Sequence, residues 1–363
     1  MPPEAVAPMD DAEAAPSLAV GRFEQLPKWL NLVPMVLQWL WLGLRYRSIS
    51  LPSSANPGIT SGGMVGDGKM EYFAAMGAVA RAATAEHIAV VNVAGLDASQ
   101  VLARLDASGL PLPVVAKPDL GWCGYGVRLL SSRPDIVDYL QRFPQGECFL
   151  LQRYLPEPGE AGLFYMREPA AANGRLIGIL LRHYPSVTGD GQATVAALIH
   201  RNARLARTCE NAMHECRYDS QRVPARGEVV RLSTVASTRV GGCYQDGSVH
   251  ATAQLTARVD AIAKDMGLFL VGRFDVRYRS LDGLRRGEFT IMEVNGAGSE
   301  AVHAWDPKYS IRDVYRIVFA KQRLLFRIGD ENRRRGHPPT GWRRLAQLHF
   351  RQQRVMRLYP PSN

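Results

Sequence analysis

The side chains best suited to chemistry lie between Phe269 and Glu300, in FLVGRFDVRYRSLDGLRRGEFTIMEVNGAGSE. Two runs of alternating apolar residues flank a glycine-containing turn, Ser280 to Gly287, a pattern that predicts an antiparallel hairpin. Alternate side chains of a strand share a face, so Arg273 and Asp275 point one way and Phe274, Val276 and Tyr278 the other. Glu293 and Asn295 share a face of the second strand, opposite Met292 and Val294. If the register brings these two faces together, two carboxylates, an amide oxygen and a guanidinium converge. Such oxygen ligands suit a hard cation, magnesium, completed by phosphate oxygens, with the arginine beside developing negative charge. The competing reading is a solvated polar face with a surface ion pair.

Upstream pieces bear on that choice. In PVVAKPDLGWCGYGVRLL (Pro113 to Leu130) a β-branched run ends in Lys117, and Gly121, Gly124 and Gly126 punctuate a loop before the next strand begins at Val127. Glycines let a loop close over a polyphosphate and aim N–H groups at its oxygens, and Lys117 would add a point charge. A plain hairpin also explains the stretch. In ECFLLQRYLPEPGE the strand Cys148 to Leu151 runs into Gln152, Arg153, Tyr154 and Leu155, then Pro156, Pro158, Gly159 and Glu160. A stiff link offering backbone groups to a flat base, then a carboxylate to ribose hydroxyls, suits a nucleotide cleft, and ordinary strand-to-turn chemistry suits it equally.

These pieces need elements to hold them. GRLIGILLRHY (Gly174 to Tyr184) reads as a strand ending in Arg182 and His183, and in the VTGDGQAT turn Thr194 caps a helix from Val195 to Ala206. Asp190 in that turn, beside Arg182, would border a substrate, or the turn is simply a capped one. Apolar positions 255, 259, 262, 263 and 266 predict an amphipathic helix stopped by Gly267, which delivers the chain into the hairpin. Lys69 opens another helical stretch after the turn-rich Ser53 to Gly68, which reads as a linker. RDVYRIVFAKQRLLF, beyond Asp306, reads as a closing helix.

Length and composition bound the class. A chain of 363 residues, 46% hydrophobic and 21% charged, can bury a sizeable core in two or three lobes. Five cysteines, an odd number without CxxC spacing, argue against a disulfide framework and for a reducing cytosol. From Asp306 onward 14 Lys and Arg stand against 4 Asp and Glu, so the whole net charge of +10 sits there. That segment lacks the aromatic platforms of a nucleic-acid groove, so nucleic acid is not an expected partner; a solvated helix and an anionic membrane surface both fit. The Ala/Pro-rich acidic lead, residues 1–19, is expected to be disordered. WLNLVPMVLQWLWLGL (Trp29 to Leu44) is apolar on every helical face yet shorter than a bilayer span, and Asn31, Pro34 and Gln38 interrupt it. Its tryptophans Trp29, Trp39 and Trp41, with Arg45 and Arg47 following, suit a peripheral interfacial anchor, and a helix docked on the main domain is the other reading.

In order, a lysine-ended strand, a glycine loop, a strand with a hinge, a TGDG turn with its helix, then RFDV and MEVNG resemble the ATP-grasp superfamily over about Lys69 to Asp306. VTGDGQATVAALI is similar to a segment of cyanophycin synthetases, and the RFDV to EVN hairpin to that of D-alanine–D-alanine ligases. The resemblance implies an α+β fold of two lobes with nucleotide between them, spanning 69–306. An apolar helix and linker at 20–68 would precede it, and a basic helical segment at 307–363 would follow. It implies ATP phosphates near Lys69, Lys117 and the loop Gly121, Gly124, Gly126 and Val127. Adenine would lie against Gln152, Arg153, Tyr154 and Leu155, with ribose near Glu160. Mg2+ or Mn2+ would be held by Asp275, Glu293 and Asn295, and Arg273 would stabilise the transferring phosphoryl group. Substrate would meet Arg182, Asp190, Gly298 and Glu300. Gln152 stands where many members carry glutamate, which keeps an acceptor for the base but removes a charge. The implied activity is an ADP-forming carboxylate–amine ligase of the cytoplasm or its membrane face. A small-molecule kinase on the same fold and a nucleotide-responsive binding protein without turnover stay open as alternatives.

Overall fold

The structure, a computed structural model, describes residues 19–213, 219–233 and 235–362; most of the expected disordered lead lies outside the described residues. The chain begins with α1 (Arg22–Gln25), α2 (Lys28–Arg45) and two 3-10 turns (Leu51–Ser54 and Thr60–Gly63). The first lobe follows as α3 (Lys69–Ala74), α4 (Ala78–Ala82), β1 (His87–Val91), α5 (Ala98–Ala107), β2 (Val114–Pro118), β3 (Arg128–Leu130), α6 (Arg133–Arg142) and β4 (Cys148–Arg153). The second comprises β5 (Gly159–Met166), β6 (Arg175–His183), β7 (Ser186–Thr188), α7 (Val195–Arg201), α8 (Ala203–Met213), β8 (Val229–Arg231), β9 (Cys243–Asp246), α9 (Ala253–Asp265), β10 (Val271–Tyr278), α10 (Leu281–Arg285) and β11 (Thr290–Asn295). Helices α11 (Ile311–Arg334) and α12 (Trp342–Met356) close the chain.

Two antiparallel sheets carry the α+β fold, one ordered β1-β4-β2-β3 and the other β11-β10-β5-β6-β9. The first buries its apolar face against α5 and α6, where Val101, Leu105, Ile136 and Tyr139 meet Val114 and Phe149. The second follows the period of two expected of a half-buried strand. Ala161, Leu163, Ile179, Phe274 and Val276 face α9 and α3, while Glu160, Arg182, Arg273, Asp275 and Arg277 alternate with them. One sheet face is therefore a hydrophobic core and the other, at one end, a charged floor. Residues 154–158 link the two sheets, so the stiff proline-containing stretch sits where a hinge between lobes was expected.

Local chemistry sets the element ends. Thr194 and Thr252 accept from Ala197 and Leu255 N–H groups to start α7 and α9, and Gly267, at φ +68°, ends the latter. The helix expected to run to Ala206 stops at Arg201, because the Asn202 side chain accepts from Arg204 and Leu205 N–H and starts α8. The hairpin turn folds as α10, capped by Ser280. The stretch opened by Lys69 breaks near Gly77, where Asp265 accepts from Ala80 N–H and leaves no room for a side chain at 77.

The expected linker is instead part of the core. Asn56, fully buried, donates to Gly62 and Val271 carbonyls (2.9 and 2.8 Å) and accepts from Leu270 and Val271 N–H (2.8 and 3.0 Å), pinning the entry to β10. A buried amide with four satisfied bonds specifies one geometry, since any shift strands polar groups. Gly329 of α11 lets the Leu51 carbonyl approach closely, and Asn332 donates to the Ser54 and Ala55 carbonyls. The basic segment is likewise docked, not simply solvated. Helix α11 packs Leu324, Leu325 and Ile328 on Val271 and Ala297, and α12 sets Leu348 against Gly66.

Helix α2 divides its two expected roles by face. Asn31, Gln38 and Met35 bond to Phe23, Phe319 and Gln322, and Trp39 packs edge-on against Phe326 at 5.0 Å with its indole N–H on the Ile49 carbonyl. Trp39 therefore faces protein. The opposite face, with Trp29, Leu37, Trp41 and Leu44, is exposed. Among the described residues no helix is long and apolar enough to cross a membrane.

Candidate active site

The hairpin register juxtaposes the residues singled out for chemistry. Asp275 stands opposite Glu293 and Arg273 opposite Asn295. A bulge follows Asp275, with Val276 paired to Ile291, so Met292 is the extra residue. Bulges of this kind re-aim groups beside functional sites, and the Met292 carbonyl meets Lys117 Nζ at 3.4 Å across the two lobes.

Asp275 is the centre of the floor. Arg273 grips it through Nε and Nη2 at 2.6 and 2.8 Å, Arg182 reaches it at 3.2 Å, and Asn295 Nδ2 donates at 3.0 Å. Burial alone pushes this carboxyl up, and the charges of Arg182 and Arg273 outweigh that and hold it ionised. Gly162, on the neighbouring strand, makes the grip possible. A Cβ there would come within 2.9 Å of Arg273 Cδ and 3.2 Å of Asp275 Oδ1. Arg182 also reaches Glu160 at 2.9 Å, and Arg277 approaches the same carboxylate at 3.4 Å. Tyr184 donates to Glu160 and accepts from Arg277. Glu160 is held ionised too, burial being outweighed by Arg277 and Arg182.

Glu160 is thus not an open carboxylate awaiting ribose hydroxyls; both its oxygens are committed to the arginines and the phenol. Gln152 departs similarly. Its Oε1 accepts from Lys117 Nζ at 2.6 Å, so the acceptor expected to read the base is already engaged. Arg153 turns outward to Glu86. The backbone groups of Tyr154 and Leu155, by contrast, make no hydrogen bond among the described residues and remain available to a base edge.

Lys69 and the glycine loop complete the enclosure. Lys69 Nζ lies 3.4 Å from Glu293 Oε1 and 3.5 Å from the Asp119 carbonyl, and a Cβ at Gly121 would stand 3.3 Å from it. Gly124 and Gly126 take φ of +74° and +72°, the left-handed region that only glycine enters freely. Opposite the loop, Arg239 lies over the Tyr125 ring at 4.7 Å, and Val235 touches Gly124. The loop of one lobe thereby meets the other lobe.

Of the residues expected at a substrate, Arg182 belongs to the floor, and Glu300 is exposed beside it, its charge acting on Lys321 of α11 together with that of Arg273. Asp190 instead caps its own turn, accepting from Gln192 and Ala193 N–H and pairing with Arg201. Gly298 is a close-approach glycine: its N–H donates to the Gly63 carbonyl at 2.7 Å, and a Cβ would strike Met64 O at 2.7 Å. Sequence reasoning missed Arg277, Gly162, Tyr184 and Lys321. Arg277 was legible, being two residues beyond Asp275 on the same strand face. Gly162 carried the signal of an isolated glycine inside an apolar strand.

The donor set fits a divalent cation. Among the described residues no three His, Cys, Asp or Glu side chains converge. An ion would therefore take Asp275, Glu293 and the Asn295 amide oxygen and draw its remaining ligands from phosphate and water, as magnesium usually does. Guanidinium and ammonium groups neutralise the two carboxylates meanwhile.

No protein-family model matches the chain, and no curated protein does. Solved structures do match. The bifunctional glutathione synthetase from Pasteurella multocida aligns at 16% identity over 73% of this chain with a TM-score of 0.38, and the chain spans only 39% of that protein's length. D-alanine–D-alanine ligase from Bacillus anthracis aligns at 14% identity over 76% of this chain and 70% of its own, TM-score 0.42. A RimK domain ATP-grasp protein from Sphaerobacter thermophilus aligns at 13% identity over 75% and 68%, TM-score 0.36. Two α+β lobes, a glycine loop on one and a carboxylate-bearing hairpin on the other, are the architecture that the ATP-grasp resemblance implies.

Burial lowers the Lys117 pKa to about 8, with Glu293 opposing that shift and Lys69 adding to it. Below pH 8 the group is an ammonium; above it the charge is lost. Affinity for a polyphosphate should therefore fall by about tenfold between pH 7 and pH 9, with proton uptake on binding near pH 8.5. Calorimetry in buffers of different ionisation enthalpy measures both, and Lys117→Met should abolish the proton uptake.

Proposed function

We propose that the chain is an ADP-forming carboxylate–amine ligase of the ATP-grasp type, dependent on magnesium. The observation that carries this reading is a charge surplus. Lys69, Lys117, Arg182, Arg273 and Arg277 stand against Glu160, Asp275 and Glu293, five cations to three carboxylates, beneath a glycine loop. Such a floor lacks negative charge and attracts a polyanion.

In this reading the nucleotide phosphates lie between the Gly121–Val127 loop and the ammonium groups of Lys69 and Lys117, with the base against the Tyr154–Leu155 backbone. A carboxylate and an amine do not condense at neutral pH, because oxide is a poor leaving group. Transfer of the γ-phosphoryl group to the carboxylate oxygen breaks the bond to ADP and forms an acylphosphate. The amine then attacks the carbonyl, losing a proton, and phosphate departs with the carbon–oxygen electron pair. The protein's task is positioning and charge neutralisation. Arg273 and Arg182 supply fixed positive charge where negative charge moves, and their carboxylate partners hold them in place before substrate arrives. Magnesium, held by Asp275, Glu293 and Asn295, would neutralise charge on the phosphate oxygens. On the acceptor side stand Glu300, suited to a cationic amine, and Lys321, whose pKa burial lowers to about 7.

The exposed face of α2 adds a location. Trp29, Leu32, Val36, Leu37, Trp41 and Leu44 form an unpartnered apolar stripe on a helix without acidic residues. Arg45 follows it, and the adjoining α11 exposes Arg312, Arg316 and Arg323. An apolar strip bordered by arginines suits the headgroup region of an anionic membrane.

Two experiments test these readings. ADP release screened over paired amino acids and small carboxylates should require both an acid and an amine. Glu293→Gln should lower it by about a hundredfold or more with the fold retained. Release with a hydroxylated acceptor alone would make the protein a kinase, and nucleotide binding without ADP a binding protein. For the membrane surface, the chain should sediment with phosphatidylglycerol vesicles and not with phosphatidylcholine, and Leu37→Asp with Leu44→Asp should free it. Equal recovery in the supernatant, or a dimer broken by the same substitutions, would refute the lipid surface.

A further inference from the structure

The glycine loop does not stand alone on the β2–β3 hairpin. Tyr359 Oη donates to the Leu120 carbonyl at 2.5 Å, and Ser362 Oγ to the Gly124 carbonyl at 2.6 Å. These two carbonyls bracket the loop at its start and its middle. The Tyr359 ring stacks on Phe143 with centroids 5.3 Å apart and planes 5° from parallel, so the tail is anchored on the first lobe's own core. Gly126 is held against the same residue, since a Cβ there would meet Tyr359 Cβ at 3.0 Å. Helix α12 leads into this tail and touches the other flank of the enclosure. Gln352 Oε1 accepts from Gly66 N–H at 3.2 Å, three residues before Lys69, and Arg351 lies 3.8 Å from Glu147.

We infer that residues 359–362 are a strap that fixes the conformation of the glycine loop, with Tyr359 and Ser362 as positioning residues for nucleotide phosphate. The inference rests on the nucleotide reading above for its ligand, while the strap itself rests on contacts that need none. A loop rich in glycine has many conformations, and aiming its N–H groups at one phosphate position costs conformational entropy. Tying two of its carbonyls to a docked tail removes that cost before the ligand arrives and leaves the N–H groups pointing elsewhere free. The basic segment, unexplained by the hairpin chemistry, gains a role: it carries the strap across both phosphate-facing segments.

The conservative double variant Tyr359→Phe with Ser362→Ala tests this. It removes both hydroxyls and keeps the ring on Phe143, so the chain should fold. Amide hydrogen exchange of the nucleotide-free protein should rise severalfold at Tyr125 and Val127, whose N–H groups close the loop's turns on the Trp122 and Gly124 carbonyls. ATP affinity should fall by about tenfold, with adenosine affinity unchanged. A merely structural tail would weaken both ligands or neither. Unchanged exchange in the loop, or faster exchange with ATP affinity intact, would overturn the proposal. If the unmutated chain takes up no ATP, the nucleotide reading fails by itself, and exchange that still rises in the variant leaves the strap standing.

Discussion

The contact on which the site depends is the grip of Arg273 and Arg182 on Asp275. Removing a carboxylate from water is costly, and its partners must offset that with close, well-directed charge. Three strands supply them. Arg273 and Asp275 come from β10, Arg182 from β6, and β5 between them carries Gly162, whose missing side chain is the space the pair occupies. A slip of one residue in any of the three would turn these groups into the apolar core on the other face. The polar floor and the packed core therefore enforce the same register from opposite sides.

A second consequence concerns how the lobes meet. Lys117 from the first sheet reaches Gln152 beside it and the Met292 carbonyl of the second, and Lys69 joins the Asp119 turn to Glu293. Both bridges are made by ammonium groups that would also suit phosphate. A polyanion entering the cleft would compete for these lysines, exchanging contacts between lobes for contacts to ligand. The connection at residues 154–158 then bears the change, which is consistent with a short proline-containing link whose backbone is largely unpaired.

Much of this was legible in the chain. Strand periodicity located the hairpin and assigned Arg273, Asp275, Glu293 and Asn295 to faces that the register then brought together. Capping residues marked α7, α9 and their neighbours. What could not be read was commitment. Glu160 and Gln152 have the right types for ligand contacts, and only three-dimensional proximity reveals that Arg182, Arg277 and Lys117 already occupy them. Asp190 shows the same limit locally: an acid in a glycine turn suits a substrate contact and a turn cap alike, and the cap prevailed. Turn-rich composition between Ser53 and Gly68 suggested a linker because the buried bonds of Asn56 span more than 200 residues of sequence and leave no periodic trace.

The central claim is that Asp275, Glu293 and Asn295 hold a divalent ion beneath nucleotide phosphates. Electron paramagnetic resonance of Mn2+ with the protein and ATP tests it most directly. The account predicts a protein-bound Mn2+ signal that forms only when ATP is present and is lost in Glu293→Gln. A spectrum identical to that of Mn2+ and ATP without protein, or a bound signal indifferent to that substitution, would contradict it.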